Sequence, residues 1–214
     1  MKTTNAAGND DKHSTAARRK PRQARAQKRH DQILDTTAEL LESVGIDGLT
    51  TILIAKELNI SVGSLYHYYP NKVAILCALA SRWLDEMTHI ISEVDNNIAE
   101  HRDIASYVQV YTDKISDMYK RQRGILPLVQ AMYAIPEVRQ LDEQHDTLMI
   151  QYLVTALKHF GCKASKPELE RIARLYHETT YICSMTIVEQ QGSKASRSQA
   201  DLNQMLNALL ANYF

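Results

Sequence analysis

The sequence is short of residues that break or bridge a chain. Seven glycines and five prolines in 214 residues are too few for the closely spaced turns of an all-β sandwich or barrel, and they favour long helices. There are three cysteines, Cys77, Cys162 and Cys183. Their number is odd, each lies in or beside an apolar stretch, and no CxxC or Cys/His ligand spacing appears. This sets aside a disulfide framework or a zinc site and leaves buried, reduced thiols as the expectation. No apolar run approaches the ~18 residues that a membrane span needs. The start of the sequence has no apolar core of a secretory signal, so a cytoplasmic protein is expected. Also missing are a nucleophile elbow, a Gly-rich phosphate loop, an HExxH motif and paired carboxylates on a short spacing. An enzyme is therefore not expected, nor is a cofactor. His177-Glu178 has no third ligand at metal spacing, so no metal is expected.

What is present begins with charge. The formal net charge is zero, but residues 1–30 hold nine basic side chains, among them Arg18, Arg19, Lys20, Arg22, Arg25, Lys28 and Arg29, against Asp10 and Asp11. A basic end on an acidic body suits a polyanion partner at that end. Residues 1–24 are polar, small and without apolar periodicity, which predicts a disordered basic arm.

Beyond the arm the periodicity is helical, and no alternation suggests a strand. The reading is all-α, with about nine helices. Ile33, Leu34, Thr37, Ala38, Leu41 and Val44 mark the first helix, and Gly45 stops it. Thr50 is placed to cap a short second helix ending near Leu58. Asn59 occupies the left-handed position that follows a helix, and Ser61 is placed to cap a third helix over 62–69, which Pro70 ends. Asn71 caps a long fourth helix, 71–94, with the stripe Leu76, Leu79, Ala80, Trp83, Met87, Ile90 and Val94. A fifth helix spans about 103–121, and Gly124 and Pro127 bracket a short sixth. Pro136 precedes a seventh, with Leu141, His145, Leu148, Tyr152 and Thr155 aligned. Ser165-Lys-Pro-Glu168 reads as a capping box opening an eighth helix to about Gln190. Residues 192–196 read as a polar loop, and Ser198 opens a ninth helix.

The second and third helices, joined by Asn59-Ile60-Ser61, have the layout of a helix-turn-helix. Ala55 is small enough for the crossing, and Ile60, Leu65 and Tyr69 lock the third helix inward. Val62, Gly63, Ser64, Tyr66, His67 and Tyr68 are left to project outward. Hydroxyl groups are good phosphate donors. A helical glycine costs about 1 kcal/mol against alanine, a cost that close approach of the backbone to DNA would explain.

These residues carry a family resemblance. The run Val44-Gly-Ile-Asp-Gly-Leu-Thr-Thr, followed by Ile54-Ala-Lys-Glu-Leu-Asn-Ile-Ser-Val-Gly-Ser-Leu-Tyr-His-Tyr-Tyr-Pro-Asn-Lys72, closely resembles the DNA-binding domain of the tetracycline-repressor (TetR) family. The resemblance covers about residues 27–84. It implies a helix-turn-helix DNA-binding domain over 25–72 and a ligand-binding and dimerisation domain over 73–214, linked by the fourth helix. It also implies that Thr50, Tyr66, Tyr68 and Lys72 bond phosphates, with Thr51 and Ser61 beside them. Val62, Gly63, Ser64 and His67 then face base edges in the major groove. Asn59 stands where the family commonly has glycine, and Val73 where it often has an acidic residue.

Residues 95–214 carry no motif of their own. The resemblance implies a homodimer joined through the last two long helices, a palindromic operator in double-stranded DNA, an unidentified small-molecule effector and no membrane partner. Ile172, Leu175, Thr179, Ile182 and Thr186 form one stripe of the eighth helix, and Leu202, Met205, Leu206, Leu209 and Leu210 one of the ninth. Core packing within one chain would produce the same stripes. Tyr107, Tyr111, Met118, Met132, Tyr133, His145, Tyr152, Tyr176 and Tyr181 are candidates for lining an apolar pocket with a few hydroxyls; simple core packing is the alternative for each.

Overall fold

A computed structural model describes residues 24–122, 124 and 126–214, without the side chains of Ala24, Ala131 and Tyr133. The predicted basic arm therefore lies outside the described residues. Those residues form nine α-helices and no strand: α1 (Ala24–Gly48), α2 (Thr51–Glu57), α3 (Val62–Tyr66), α4 (Lys72–Asn96), α5 (Ile104–Arg121), α6 (Leu126–Ala131), α7 (Pro136–His159), α8 (Lys166–Val188) and α9 (Gly192–Leu210). None is long and apolar enough to cross a membrane. All three cysteines are free; Cys77 and Cys162 are buried and Cys183 is half-buried.

The described residues divide into two compact units, one of residues 24–83 with 127–141, the other of residues 84–126 with 142–214. In the first unit the helix ends follow local chemistry. Gly45 takes φ 67°, ψ −178°, a left-handed conformation that glycine adopts without a side-chain penalty, so α1 is broken there and a single further turn ends at Gly48. Thr50 accepts a hydrogen bond from Leu53 N (3.1 Å), Ser61 one from Ser64 N (3.0 Å) and Asn71 one from Ala74 N (2.8 Å). Asn59 has φ 51° and turns the chain between α2 and α3. The third helix is shorter than its pattern suggests. It ends at Tyr66 rather than near Tyr69, and both Tyr68 N and Tyr69 N then donate to Leu65 O (2.9 and 3.1 Å). Pro70 disfavours helical backbone in the residue before it, which accounts for the early close. Ile33, Leu41, Leu49, Ile54, Ala55, Leu65 and Tyr69 fill the core, whereas Val44 is 43% exposed, so the stripe of α1 stops one turn before the glycine.

In the second unit α5, α8 and α9 pack on one another. Asp103 caps α5 through a reciprocal pair, accepting from Ser106 N (2.8 Å) while its own N–H donates to Ser106 Oγ (3.1 Å). A polar seam joins α5 to α9. Thr112 Oγ1 donates to Asn203 Oδ1 (2.5 Å), Asn203 Nδ2 donates to Gln109 Oε1 (2.8 Å), and Ser116 donates to Gln199.

Three expectations are corrected here. The seventh helix buries Val138, Asp142, His145, Met149, Leu153, Ala156 and Leu157, while Leu148 is 37% exposed and Thr155 is exposed. Its inward face is therefore rotated from the predicted stripe: His145 is inside as expected, but polar Asp142 is taken inside as well. Ser165 forms no side-chain cap; Glu168, its supposed partner, instead accepts from Arg171 Nε (3.0 Å) and from Tyr213 OH (3.2 Å). The ninth helix begins at Gly192, six residues before Ser198, and Ser198 Oγ donates to Gln190 Oε1 (2.7 Å). Residues 193–197 hold no helix breaker, and their polarity reflects exposure rather than a loop.

Candidate nucleic-acid interface

Two short helices and the turn between them set out the first site. Leu65 and Tyr69 are 0% and 1% exposed and anchor α3 from beneath. Tyr69 OH lies 2.8 Å from His30 Nδ1. The His30 ring in turn meets Tyr68 and Tyr69 edge-on, each at 5.2 Å between centroids. With these side chains committed inward, Ser61, Gly63, Tyr66 and His67 are exposed, and Val62, Ser64 and Tyr68 are half-buried. Thr51 Oγ1 lies 3.3 Å from Tyr66 OH, so the end of α3 is steadied by the first turn of α2. Thr50 uses its oxygen as the cap acceptor and keeps its hydroxyl proton for another partner.

Gly63 has no role inside the fold. A Cβ built there would meet nothing nearer than Ser61 Oγ at 3.8 Å, and the residue is not among those at positive φ. The fold would accept alanine, which is the better helix former. What glycine adds is a stretch of exposed backbone that another molecule can approach closely.

Lys72 is placed differently from a free phosphate donor. Its Nζ donates to Ile46 O and Leu49 O, both at 2.8 Å, so the first turn of α4 is tied to the last turn of α1 and to the link between α1 and α2. Exposed Ile52, at 68%, stands beside Thr51 on α2. It was missed because an isoleucine in an apolar run reads as core.

The second unit holds a narrow cleft lined by Met87, Tyr111, Ile115, Tyr119, His177, Thr180 and Tyr181. It has room for about one water. Of the nine predicted pocket residues, Tyr111 and Tyr181 line this cleft. Tyr176 stands behind Tyr111, with ring centroids 5.5 Å apart. Tyr107 is held by Asp95, to which its hydroxyl donates at 2.7 Å. Met118 is fully buried, Tyr152 is half-buried, and Met132 belongs to the first unit. Tyr133 presents no described side chain. His145 is buried off the cleft, where desolvation, reinforced by the nearby His177, holds its imidazole down to about 4.

Sequence reasoning missed Met87, Ile115, His177 and Thr180 as lining residues. His177 Nε2 lies 2.7 Å from Asp146 Oδ1. Close by, burial and then the Asp146 carboxylate push the Asp142 carboxyl up to about 6. Burial also raises the hydroxyls of Tyr111 and Tyr119 above their ordinary value, so both are neutral donors. No three described His, Cys, Asp or Glu side chains gather as a metal site.

Comparison with known proteins agrees with this geometry. Residues 33–79 match the model of bacterial regulatory proteins of the tetR family, and residues 103–213 match that of the tetracyclin repressor-like C-terminal domain. The chain is 38% identical over 66 residues to the tetracycline repressor protein class A from transposon 1721 of Escherichia coli, a match covering 30% of this chain and 31% of that one. The chain thus spans about a third of that curated relative. It is 24% identical over 140 residues to the nucleoid occlusion factor SlmA of Pasteurella multocida, covering 63% of this chain and 68% of that protein. A transcriptional regulator from Rhodococcus sp. Rha1 has the same fold, with a TM-score of 0.71 at 15% identity over 86% of this chain and 96% of that one. With its helix-turn-helix and the greater part of its body each matched by a family model, the chain belongs to the tetR family of bacterial regulatory proteins, which are DNA-binding regulators of transcription.

Proposed function

We propose that the protein is a repressor that grips a palindromic operator as a homodimer and releases it when a small molecule enters the cleft of the body. The observation that carries this reading is the outer face of α3. Gly63, Tyr66 and His67 are exposed, and Gly63 is a glycine for which the fold itself has no use. Val62, Gly63, Ser64 and His67 meet base edges, and the hydroxyls of Thr50, Thr51, Ser61, Tyr66 and Tyr68 meet phosphates. Lys72 acts from behind by holding the start of α4, and its third N–H remains available to a phosphate.

The partner copy sits on the outer faces of α8 and α9. Leu175 (45% exposed), Ile182 (51%) and Met205 (54%) lie outside the chain's own core, as do Thr179 and Thr186. Four of the five residues in the stripe of α8 are thus left for another surface, while Ile172 turns inward. A helical face with large apolar groups at this spacing suits a second copy of itself. Release follows from α4. Met87 of α4 lines the cleft, and the same helix begins at Lys72 in the DNA-binding unit. A ligand that moves Met87 moves that helix, at a coupling of about 1–3 kcal/mol, and operator DNA weakens the ligand to the same degree.

The test is selection of genomic fragments by the purified protein, followed by a gel shift on the enriched DNA. A palindrome is expected whose binding is lost in Tyr66→Ala, with a dimer mass by light scattering that Ile182→Glu reduces to a monomer. Absence of any enriched sequence at low salt, from a folded protein, would refute the reading.

A further inference from the structure

The interior of the second unit is one-sided in charge. Every described lysine and arginine of residues 84–126 and 142–214 is exposed. The titratable groups taken inside are acids and imidazoles: Asp142 and His177 are 6% exposed, His145 is 7%, and the Asp146 side chain is 22% exposed. Around the cleft the sole imidazole, His177, is already committed to Asp146 at 2.7 Å. The rest of the lining is Met87, Ile115, Thr180 and three tyrosines. Tyr111 is 1% exposed and borders the cleft. Behind it, the buried hydroxyl of Tyr176 has no partner among the described residues. A buried hydroxyl without a partner is costly, and a site that keeps such groups suits a ligand that satisfies them.

These features sort ligands by charge. A carboxylate or phosphate in the cleft would meet no fixed cation and would lie near the carboxylates of Asp142 and Asp146, an uncompensated burial of like charge. An ammonium would meet tyrosine faces, which attract cations, hydroxyl oxygens able to accept its protons, and a carboxylate whose only described partner is an imidazole. The carboxyl of Asp142 is raised first by burial and then by the Asp146 carboxylate.

On the reading that this cleft is the effector site, and that its lining side chains part to admit the effector, we propose that the effector is an amphipathic cation. Its apolar part, an aromatic or short aliphatic group, lies against Met87, Ile115 and the tyrosine rings. Its protonated amine lies among the hydroxyls of Tyr111 and Tyr181 beside the Asp146–His177 pair.

The test is calorimetric titration of the full-length protein with three probes sharing one ring system: naphthylmethylamine, naphthalenemethanol and naphthoate. The amine is expected to bind about tenfold more tightly than the alcohol, and the carboxylate more weakly than either. Asp146→Asn is expected to bring the amine and the alcohol together. The wild-type series decides the matter even if that variant misfolds. Carboxylate binding as tight as the amine overturns the proposal while leaving ligand-controlled repression intact, and so does an amine preference untouched in a folded Asp146→Asn protein. No amine binding at millimolar concentration overturns it as well. Failure of the ligand-free operator gel shift would instead overturn repression and leave the order of the three probes standing.

Discussion

Tyrosine serves the two units differently. In the first, Tyr66 is exposed and Tyr68 half-buried on the rim of a five-residue helix, with hydroxyls available to solvent or to a phosphate. In the second, Tyr107, Tyr111, Tyr119 and Tyr176 are at most 2% exposed, and burial raises every one of their hydroxyls. A helix of five residues has one anchoring position, Leu65, and leaves its other side chains to a partner. Helices of 18 and 23 residues, α5 and α8, have whole faces to bury, and their polar groups go inside with those faces. The first arrangement suits reading an external molecule across a surface, and the second suits enclosing one. A surface site is thus tested by variants that alter binding but not stability, and an enclosed site by variants that alter both.

The largest contrast is expected in pH dependence, which should belong to the body. His145 sits at about 4 in the fold against an ordinary 6.5. Between those values the unfolded chain takes up a proton that the fold refuses, so this group removes stability as pH falls from 6.5 to 4. Asp142 sits at about 6 against 3.8. The fold takes its proton first, so this group adds stability as pH falls from 6 to 3.8. The two largely offset. Asp142→Asn removes the second, and urea midpoints of the variant should fall more steeply than wild type over this range. Parallel curves would show that the acid is not coupled to folding.

Next is Lys72→Met, which strands two carbonyls and should cost about 2 kcal/mol in chemical denaturation. Tyr66→Phe should leave stability within about 0.5 kcal/mol while weakening operator binding several-fold. If the two variants behaved alike, the distinction drawn here between a positioning lysine and a contacting tyrosine would collapse. Gly63→Ala should move the two readouts in opposite directions, raising stability by up to about 1 kcal/mol and lowering operator affinity. Unchanged affinity would remove the case for close backbone approach. The smallest pair lies in the body. Tyr176→Phe deletes an unpartnered hydroxyl and should be neutral or stabilising by a few tenths of a kcal/mol. Tyr107→Phe deletes the bond to Asp95 and should cost about 1 kcal/mol in the same thermal melt.

The same division governs how much could be read from the amino acids. Thr50, Ser61 and Asn71 cap the helices they were expected to cap, and Asn59 takes its left-handed turn, because each depends on bonds within three or four residues. The outward-facing set could be named for the same reason: once Leu65 and Tyr69 are inward, the remaining side chains of so short a helix have few other places to go. The body resisted. The face of α7 was misjudged, His145 apart, because burying Asp142 depends on groups far away in sequence. Ser165 lost its cap partner when Glu168 turned to Arg171 and Tyr213, 45 residues on in the case of the tyrosine. Tyr111, Ile115 and Tyr119 do recur at helical spacing, yet periodicity marks an inward face without distinguishing solid core from cleft wall. The outer stripe of α8 was visible as a pattern, but its exposure was not.

The two bonds of Lys72 also have a mechanical meaning. A hinge between a regulator's halves loses signal if its joint is compliant, because displacement is absorbed in bending before it reaches the far side. Here the first residue of α4 is fastened at 2.8 Å to the carbonyls of both Ile46 and Leu49, and its cap residue Asn71 is bonded into the first turn. Leu49 directly precedes Thr50, the cap of α2. An axial shift of α4 is therefore handed to the start of α2 with little slack. The joint behaves as a rigid crank rather than a compliant hinge.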